Sequence, residues 1–220
     1  MQTTISGYAW RRRWIQCGAL LLLLLVPLAQ AWSQAPAPSR NVLIMGDSLS
    51  AAYGMPAAQG WVSLLQQRID TQAPGWRLIN ASISGETTAG GASRMIQALK
   101  QHRPAVVVIE LGGNDALRGL PLAQTRANLA RMIGAAHGTG AQVLLIGMRI
   151  PPNYGSQYTR EFERGFVELA ERFDTALLPF LLEPIATSRT SFQDDNLHPT
   201  AAAQPKIRDH VWPALKPLLH

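Results

Sequence analysis

Asn41-Val42-Leu43-Ile44-Met45-Gly46-Asp47-Ser48-Leu49-Ser50 is an apolar run that ends abruptly in a turn of small residues carrying a hydroxyl. Val42 to Met45 reads as a strand buried on both faces, the pattern of a parallel sheet covered by helices. The Gly-Asp-Ser that follows puts Ser48 at the strand's carboxyl end, where open α/β sheets bind ligands. A serine hydroxyl is a poor nucleophile near neutral pH until a base takes its proton, and an imidazole steadied by a carboxylate is the usual base. Far downstream, Asp195-Asn196-Leu197-His198-Pro199 supplies such a pair three residues apart, a spacing that puts both side chains on one face of a tight loop. Pro199 biases His198 away from helical backbone, so the pair is expected on a stiff loop just before a helix. Ser48, Asp195 and His198 form a candidate triad, with Asp194 a rival for the orienting carboxylate.

Outward from this strand, apolar runs alternate with helical patterns, and Gly, Pro or Asn marks each change of period. Strands are expected at 41–46, 76–81, 105–111, 141–148 and 175–180, and helices near 60–72, 88–101, 122–137, 158–172 and 200–218. An alternating series of this kind folds as a three-layer α/β/α sandwich around a five-stranded parallel sheet. Right-handed crossovers gather the segments after each strand at one edge. Those segments include 46–50, 82–86, 112–118 and 149–154.

Attack by Ser48 on a carbonyl would create an oxyanion that needs donors already aimed at it. Three are available on the converging segments: the backbone N–H of Ser48, the N–H of Gly85, where glycine permits close approach, and the side-chain amide of Asn114. Each element has a plainer reading. Gly-Asp-Ser after a strand is commonly an ordinary turn with Asp47 as a local cap, and Gly112-Gly113-Asn114-Asp115 serves equally as a loop leading into a helix. The Asp-Asp…His cluster also fits a solvated turn, and one histidine beside carboxylates is too little for zinc. His102, His137, His210 and His220 lack such context and read as surface residues. The order of these elements at successive strand ends favours the chemical reading.

Residues 1–31 carry Arg11 to Arg13, an apolar stretch from Ile15 to Leu28 and then Ala29-Gln30-Ala31. This is the layout of a cleaved secretory signal, with cutting after Ala31 preferred over Ser33 or Ala35. The apolar stretch is short for a membrane span of roughly 20 residues, so no membrane anchor is expected after cleavage. A leader over 32–40 then precedes the domain at 41–220. Cys17, the only cysteine, lies inside the signal, leaving the mature chain without thiol, disulfide or cysteine metal site. The signal holds three of the 20 basic side chains and none of the 14 acidic ones, so the formal charge falls from +6 to +3, too mild and dispersed to argue for nucleic acid.

Gly46-Asp47-Ser48-Leu49-Ser50, Gly85, Gly113-Asn114-Asp115 and Asp195-x-x-His198-Pro199 match, in order, the blocks of the GDSL or SGNH hydrolases, and the chain resembles that family. Asn80 to Gly85, Glu110 to Gly119, Pro152 to Gly155 and Ala203-Gln204-Pro205 resemble its branch of bacterial periplasmic esterases, thioesterases, arylesterases and lysophospholipases. The resemblance covers essentially the whole mature chain. It implies a flavodoxin-like sandwich, Ser48 as nucleophile, Gly85 and Asn114 completing the oxyanion hole, Asp195 with His198 completing the triad, and no cofactor. Ala116 stands where the branch commonly has glycine, which implies a stiffer loop beside the oxyanion hole. Asn196-Leu197 replaces Gly-Ile.

The chain is therefore expected to be a periplasmic or secreted serine esterase, a monomer acting on small acyl or aryl esters and thioesters. Leu117, Leu120, Pro121, Ile150, Pro151 and Tyr154 are candidates for an apolar acyl groove, with loop packing the alternative. Two rivals stay open: a carbohydrate O-acetylesterase of the same fold, and a non-catalytic flavodoxin-like binding protein.

Overall fold

The computed structural model describes residues 40–220; the expected signal and all but the last residue of the leader lie outside the described residues. Five parallel strands form one sheet in the order β2-β1-β3-β4-β5. They are β1 (Asn41–Gly46), β2 (Arg77–Asn80), β3 (Val106–Glu110), β4 (Gln142–Ile146) and β5 (Ala176–Leu178). This is the flavodoxin-like order, in which the crossover direction reverses between β1 and β3 and opens a crevice at their carboxyl ends.

Position in the sheet explains the composition of each strand. The interior strand β3 is buried at every residue, and β1 at every residue after Asn41, as a sheet covered on both sides requires. The edge strand β2 is half exposed, and Gln66 shields its free side by accepting from the Leu78 N–H at 2.5 Å and donating to the Trp76 carbonyl at 3.2 Å. Glu110, at the end of β3, is the exception to the apolar pattern: it is 2% exposed and pairs in register with Gly46.

Helices α1 (Trp61–Gln72) and α6 (Gln204–Leu215) pack together, while α2 (Thr88–His102), α4 (Leu122–His137) and α5 (Ser156–Phe173) pack in series. Gln204 joins the first pair: its side-chain oxygen accepts the Trp61 N–H at 2.9 Å, one of the donors left free at a helix start.

The structure departs from the sequence expectations in several places. Strand β5 stops at Leu178, because Pro179 follows it and the chain bends back, with the Leu181 N–H donating to the Gly147 carbonyl at 3.1 Å. The expected helix at 200–218 is three pieces, 3-10 turns at Ala201–Ala203 and Lys216–Leu218 flanking α6. The Gly112-Gly113-Asn114-Asp115 segment becomes helical from Gly113, as α3 (Gly113–Leu117), with Gly112 outside it at φ +120. Ala116 therefore lies inside a helix, wholly buried, where alanine is favoured over glycine by about 1 kcal/mol; it stiffens no loop. His210 is half-buried rather than superficial, with its Nε2 3.0 Å from the Phe180 carbonyl oxygen.

Candidate active site

Beyond β1 the chain turns at once, with the Ala51 N–H donating to the Asp47 carbonyl at 2.9 Å and the Tyr53 N–H to the Ser48 carbonyl at 3.1 Å. Ser48 is left half-buried on top of this turn. Asp47 beneath it is 3% exposed. One of its carboxylate oxygens accepts the Leu49 N–H at 3.0 Å and the other accepts the Asn114 side-chain amide, also at 3.0 Å. Asp47 thus caps the turn locally, and it also holds Asn114, a contact that the sequence reading did not anticipate. Holding one Asn114 N–H in this way fixes the orientation of the amide and leaves its second donor available.

Glu110 lies under the same turn, where Ser50 Oγ donates to it at 2.7 Å and the Asp47 N–H at 3.4 Å. Two carboxyls buried side by side resist ionising together. Burial raises Asp47 from its ordinary range to about 6, against the hydrogen bonds from Leu49 and Asn114. Burial and the Asp47 carboxylate together push Glu110 well above its ordinary range.

The histidine arrives from the far end of the chain. The segment after β5 folds into a narrow loop closed by an antiparallel bridge between Phe192 and Pro199. Within the loop, Asp195 Oδ1 accepts the backbone N–H groups of Leu197 at 2.9 Å and His198 at 3.0 Å, and Asp195 Oδ2 lies 2.6 Å from His198 Nδ1. The bond from the His198 backbone N–H is the largest of the effects that hold the Asp195 carboxyl down, to about 2. Ionised, Asp195 has no proton to give, so His198 Nδ1–H donates to it and Nε2 is left as an acceptor. Nε2 stands 2.9 Å from Ser48 Oγ. The carboxylate beside His198 Nδ1 is that of Asp195; the rival Asp194 is exposed, and its backbone carbonyl accepts from the Asn196 amide at 3.2 Å.

Gly85 adopts φ +78, a conformation that favours glycine. Its loop is tied to the serine turn by the Ile83 N–H donating to the Gly46 carbonyl at 3.1 Å and the Asn80 amide donating to the Ser50 carbonyl at 2.8 Å. Arg118 covers Gly85 by donating to its carbonyl at 3.0 Å. Asp115, though adjacent to Asn114, faces away from the serine; it is buried and accepts from Thr88 N–H at 2.8 Å and Thr88 Oγ at 2.5 Å, fastening α3 to the start of α2.

A cavity of about 60 Å³ opens beside Ser48, Asn114 and His198. Leu117, Ile150 and Pro151 line it as expected, and Leu49, Met148, Leu182 and Leu197 join them, together with the charged Arg149. Leu120, Pro121 and Tyr154 do not line it, nor does Gly85. The Tyr154 hydroxyl instead donates to the Leu117 carbonyl at 3.3 Å, bracing the wall from outside. Met148 was within reach of sequence reading, since it extends the apolar run of β4, whereas Leu182 comes from an irregular segment with no periodic signal.

The profile of the GDSL-like lipase/acylhydrolase family matches residues 44–204. The esterase TesA of Pseudomonas aeruginosa is 47% identical over 202 residues, an overlap of 92% of this chain and 96% of that protein. The thioesterase 1/protease 1/lysophospholipase L1 of Escherichia coli strain K12 is 40% identical over 184 residues, covering 84% and 87%. Among solved structures, the psychrotrophic esterase EstA from a Pseudoalteromonas species, described as inhibited by monoethylphosphonate, superposes with a TM-score of 0.79 at 41% identity, covering 82% of this chain and 98% of that one. The reading as a non-catalytic binding protein falls with these matches. The chain belongs to the GDSL-like lipase/acylhydrolase family and is, with it, a serine hydrolase acting on ester bonds.

Proposed function

We propose that the chain hydrolyses carboxylic esters and thioesters of acyl and aryl substrates through an acyl-enzyme on Ser48. The observation that carries this reading is the continuous line from Asp195 Oδ2 to His198 Nδ1 at 2.6 Å and from His198 Nε2 to Ser48 Oγ at 2.9 Å. As Ser48 Oγ bonds to the carbonyl carbon, His198 Nε2 takes its proton, and the Asp195 carboxylate stabilises the imidazolium. The oxygen that becomes negative is received by the N–H groups of Ser48 and Gly85 and the free amide N–H of Asn114. Collapse of this intermediate expels the alcohol or thiol, which leaves with the proton from His198. Water then attacks the acyl-enzyme with His198 again as base, releasing the acid and restoring Ser48.

The acyl group occupies the cavity lined by Leu117, Ile150, Pro151, Met148 and Leu182, a mostly aliphatic wall despite the nearby Arg149, which supports an apolar acyl chain over a sugar. Each methylene buried there contributes up to about 0.8 kcal/mol until the cavity is full. The signal at 1–31 directs the enzyme to the periplasm or outside the cell, where the mature domain works as a monomer without an anchor. Among the described residues no helix is long and apolar enough to cross a membrane.

Reaction with a fluorophosphonate followed by peptide mapping tests the chemistry: the label is expected on Ser48, and Ser48→Ala is expected to abolish hydrolysis of p-nitrophenyl esters while remaining folded. More than trace activity in that variant refutes the mechanism. A chain-length series tests the substrate class. Medium-chain esters and thioesters should exceed acetate, whereas a maximum at acetate with good turnover of acetylated oligosaccharides would favour the O-acetylesterase reading.

A further inference from the structure

Tyr53 takes no part in the steps above, yet its ring centroid lies 4.3 Å from that of His198, the two planes tilted by 36°. Its side chain is half exposed, so burial of apolar surface alone does not account for where it sits. The backbone around it is unusual. Ala52 before it and Gly54 after it both hold left-handed conformations, φ +59 and φ +75, and alanine adopts such a conformation only at a cost.

A second residue explains how that backbone is held. The Gln193 side-chain amide donates to the Tyr53 carbonyl at 2.9 Å and to the Pro199 carbonyl at 3.0 Å, and so bridges the serine turn and the histidine loop with one group. Gln193 is also bound into the histidine loop by its own backbone, its N–H donating to the His198 carbonyl at 2.8 Å. A Cβ at position 54 would meet the Gln193 side-chain oxygen and push the bridging amide aside, besides straining the backbone at φ +75.

The His198 ring is thus fixed along its edge by Asp195 and Ser48 and covered on a face by Tyr53. The edge contacts alone leave an imidazole on an exposed loop free to swing about its side-chain torsions, which would break the alignment with Ser48. We propose that Tyr53 is a positioning residue for His198, stacked on the imidazole to hold Nε2 toward Ser48, and that Gln193 clamps the two turns so that the stack forms. This rests on the reading of His198 as the general base.

The test compares Tyr53→Phe, Tyr53→Leu, Tyr53→Ala and Gln193→Ala with the parent in ester hydrolysis and in the rate of fluorophosphonate labelling. Aromatic stacking of this kind corresponds to roughly 3–10-fold in rate. Tyr53→Leu, Tyr53→Ala and Gln193→Ala should each lose about that much in kcat and in labelling rate, with KM unchanged. Tyr53→Phe, which keeps the ring, should stay within twofold. The low-field proton resonance of His198 Nδ1–H should broaden in the Leu and Ala variants and persist in Phe. A rise in KM with kcat and labelling unchanged would make Tyr53 a wall for substrate and overturn the proposal, as would the absence of any change. Ser48→Ala and His198→Ala run alongside keep the two readings apart: activity surviving in those refutes the triad itself, whatever Tyr53 does.

Discussion

The turn that carries Ser48 and the loop that carries His198 meet at 2.9 Å, but they are held by opposite means. Asp47, Ser50 and Glu110, which build the first, are each no more than 3% exposed and stand on two interior strands of the sheet. The second stands on an irregular segment beyond an edge strand. Its Asp195 side chain is 40% exposed, and the loop keeps its shape through a single bridge and a few hydrogen bonds. Core packing cannot be altered locally without cost, so the nucleophile is preorganised by the fold. The base depends on local bonding, which solvent and single substitutions reach directly. The two halves should therefore respond differently when a side chain that serves the chemistry is changed, with loss of activity alone at Asp195 and losses of activity and stability together at the buried polar groups of the turn.

The largest expected effect lies in the loop. Asp195→Asn should lower kcat by roughly 10³–10⁴-fold, because it removes the charge that stabilises the imidazolium and disturbs the tautomer of His198, while Tm stays within about 1 °C of the parent. Asp194→Asn should be near neutral in both. Steady-state kinetics with thermal melts decide it, and comparable losses from the two substitutions would take the orienting role away from Asp195.

On the buried side, Asn114→Ala should lower kcat by roughly 10²–10³-fold with little change in KM, as expected for a donor used mainly in the transition state. It should also lower stability by about 1 kcal/mol, because Asp47 Oδ2 loses the amide it accepts at 3.0 Å. A variant that loses activity but melts like the parent would erase the distinction between the two halves.

The same distinction explains what could be read in advance. Strand runs such as Val106 to Ile109 are apolar because both faces are covered, so their period was legible, and with it the edge where the segments after each strand gather; the strand order that opens the crevice between β1 and β3 came from the structure. The residues at strand ends followed from that placement, and the family blocks supported them. Helix α3 was not legible, since a glycine pair argues against a helix; Gly112 stays outside as its cap, and the tertiary contacts of Asp115 with Thr88 and of Asn114 with Asp47 support the short turn that follows. The burial of Glu110 was also hidden, because a glutamate ending a strand reads as a solvated terminus until the serine turn is folded over it. Leu182 and Leu197 reach the cavity from irregular backbone, where no periodicity records which way a side chain faces.

Glu110 offers a measure of the buried half that does not depend on turnover. Asp47 rises from an ordinary 3.8 to about 6 and Glu110 is pushed well above its ordinary range, both chiefly by burial. The folded state therefore binds protons more tightly than the unfolded chain, and these groups withdraw stability as pH climbs from about 4 through 6 and beyond. Asp195, held down to about 2, acts with the opposite sign and only below about 4, outside that window. Glu110→Gln keeps an oxygen to accept from Ser50 and removes one of the two acids. Its melting curve should fall less steeply than the parent's between pH 4 and 8, giving a relative gain on the order of 1 kcal/mol at the upper end, or about 2–4 °C. Parallel curves for the two proteins would show that the pair is not electrostatically coupled.

The smallest effect is expected back in the loop, at the one position where its backbone needs a particular residue. Asn196 holds φ +60 between Asp195 and His198, a conformation that asparagine tolerates better than most residues and glycine adopts freely. Its side chain also donates to the Asp194 carbonyl at 3.2 Å, a bond on the exposed surface that contributes little. Asn196→Gly, which keeps access to the left-handed conformation, should change stability by no more than a few tenths of a kcal/mol and leave kcat within twofold. Asn196→Ala has no such freedom and should cost about 1 kcal/mol. If the strain is instead relieved by the loop changing shape, the cost appears in kcat, because Asp195 and His198 lie on either side of the altered residue. Comparing Tm and kcat for Asn196→Ala thus shows whether the histidine loop is rigid enough to absorb strain as the buried turn does at Ala52, or whether its geometry yields first.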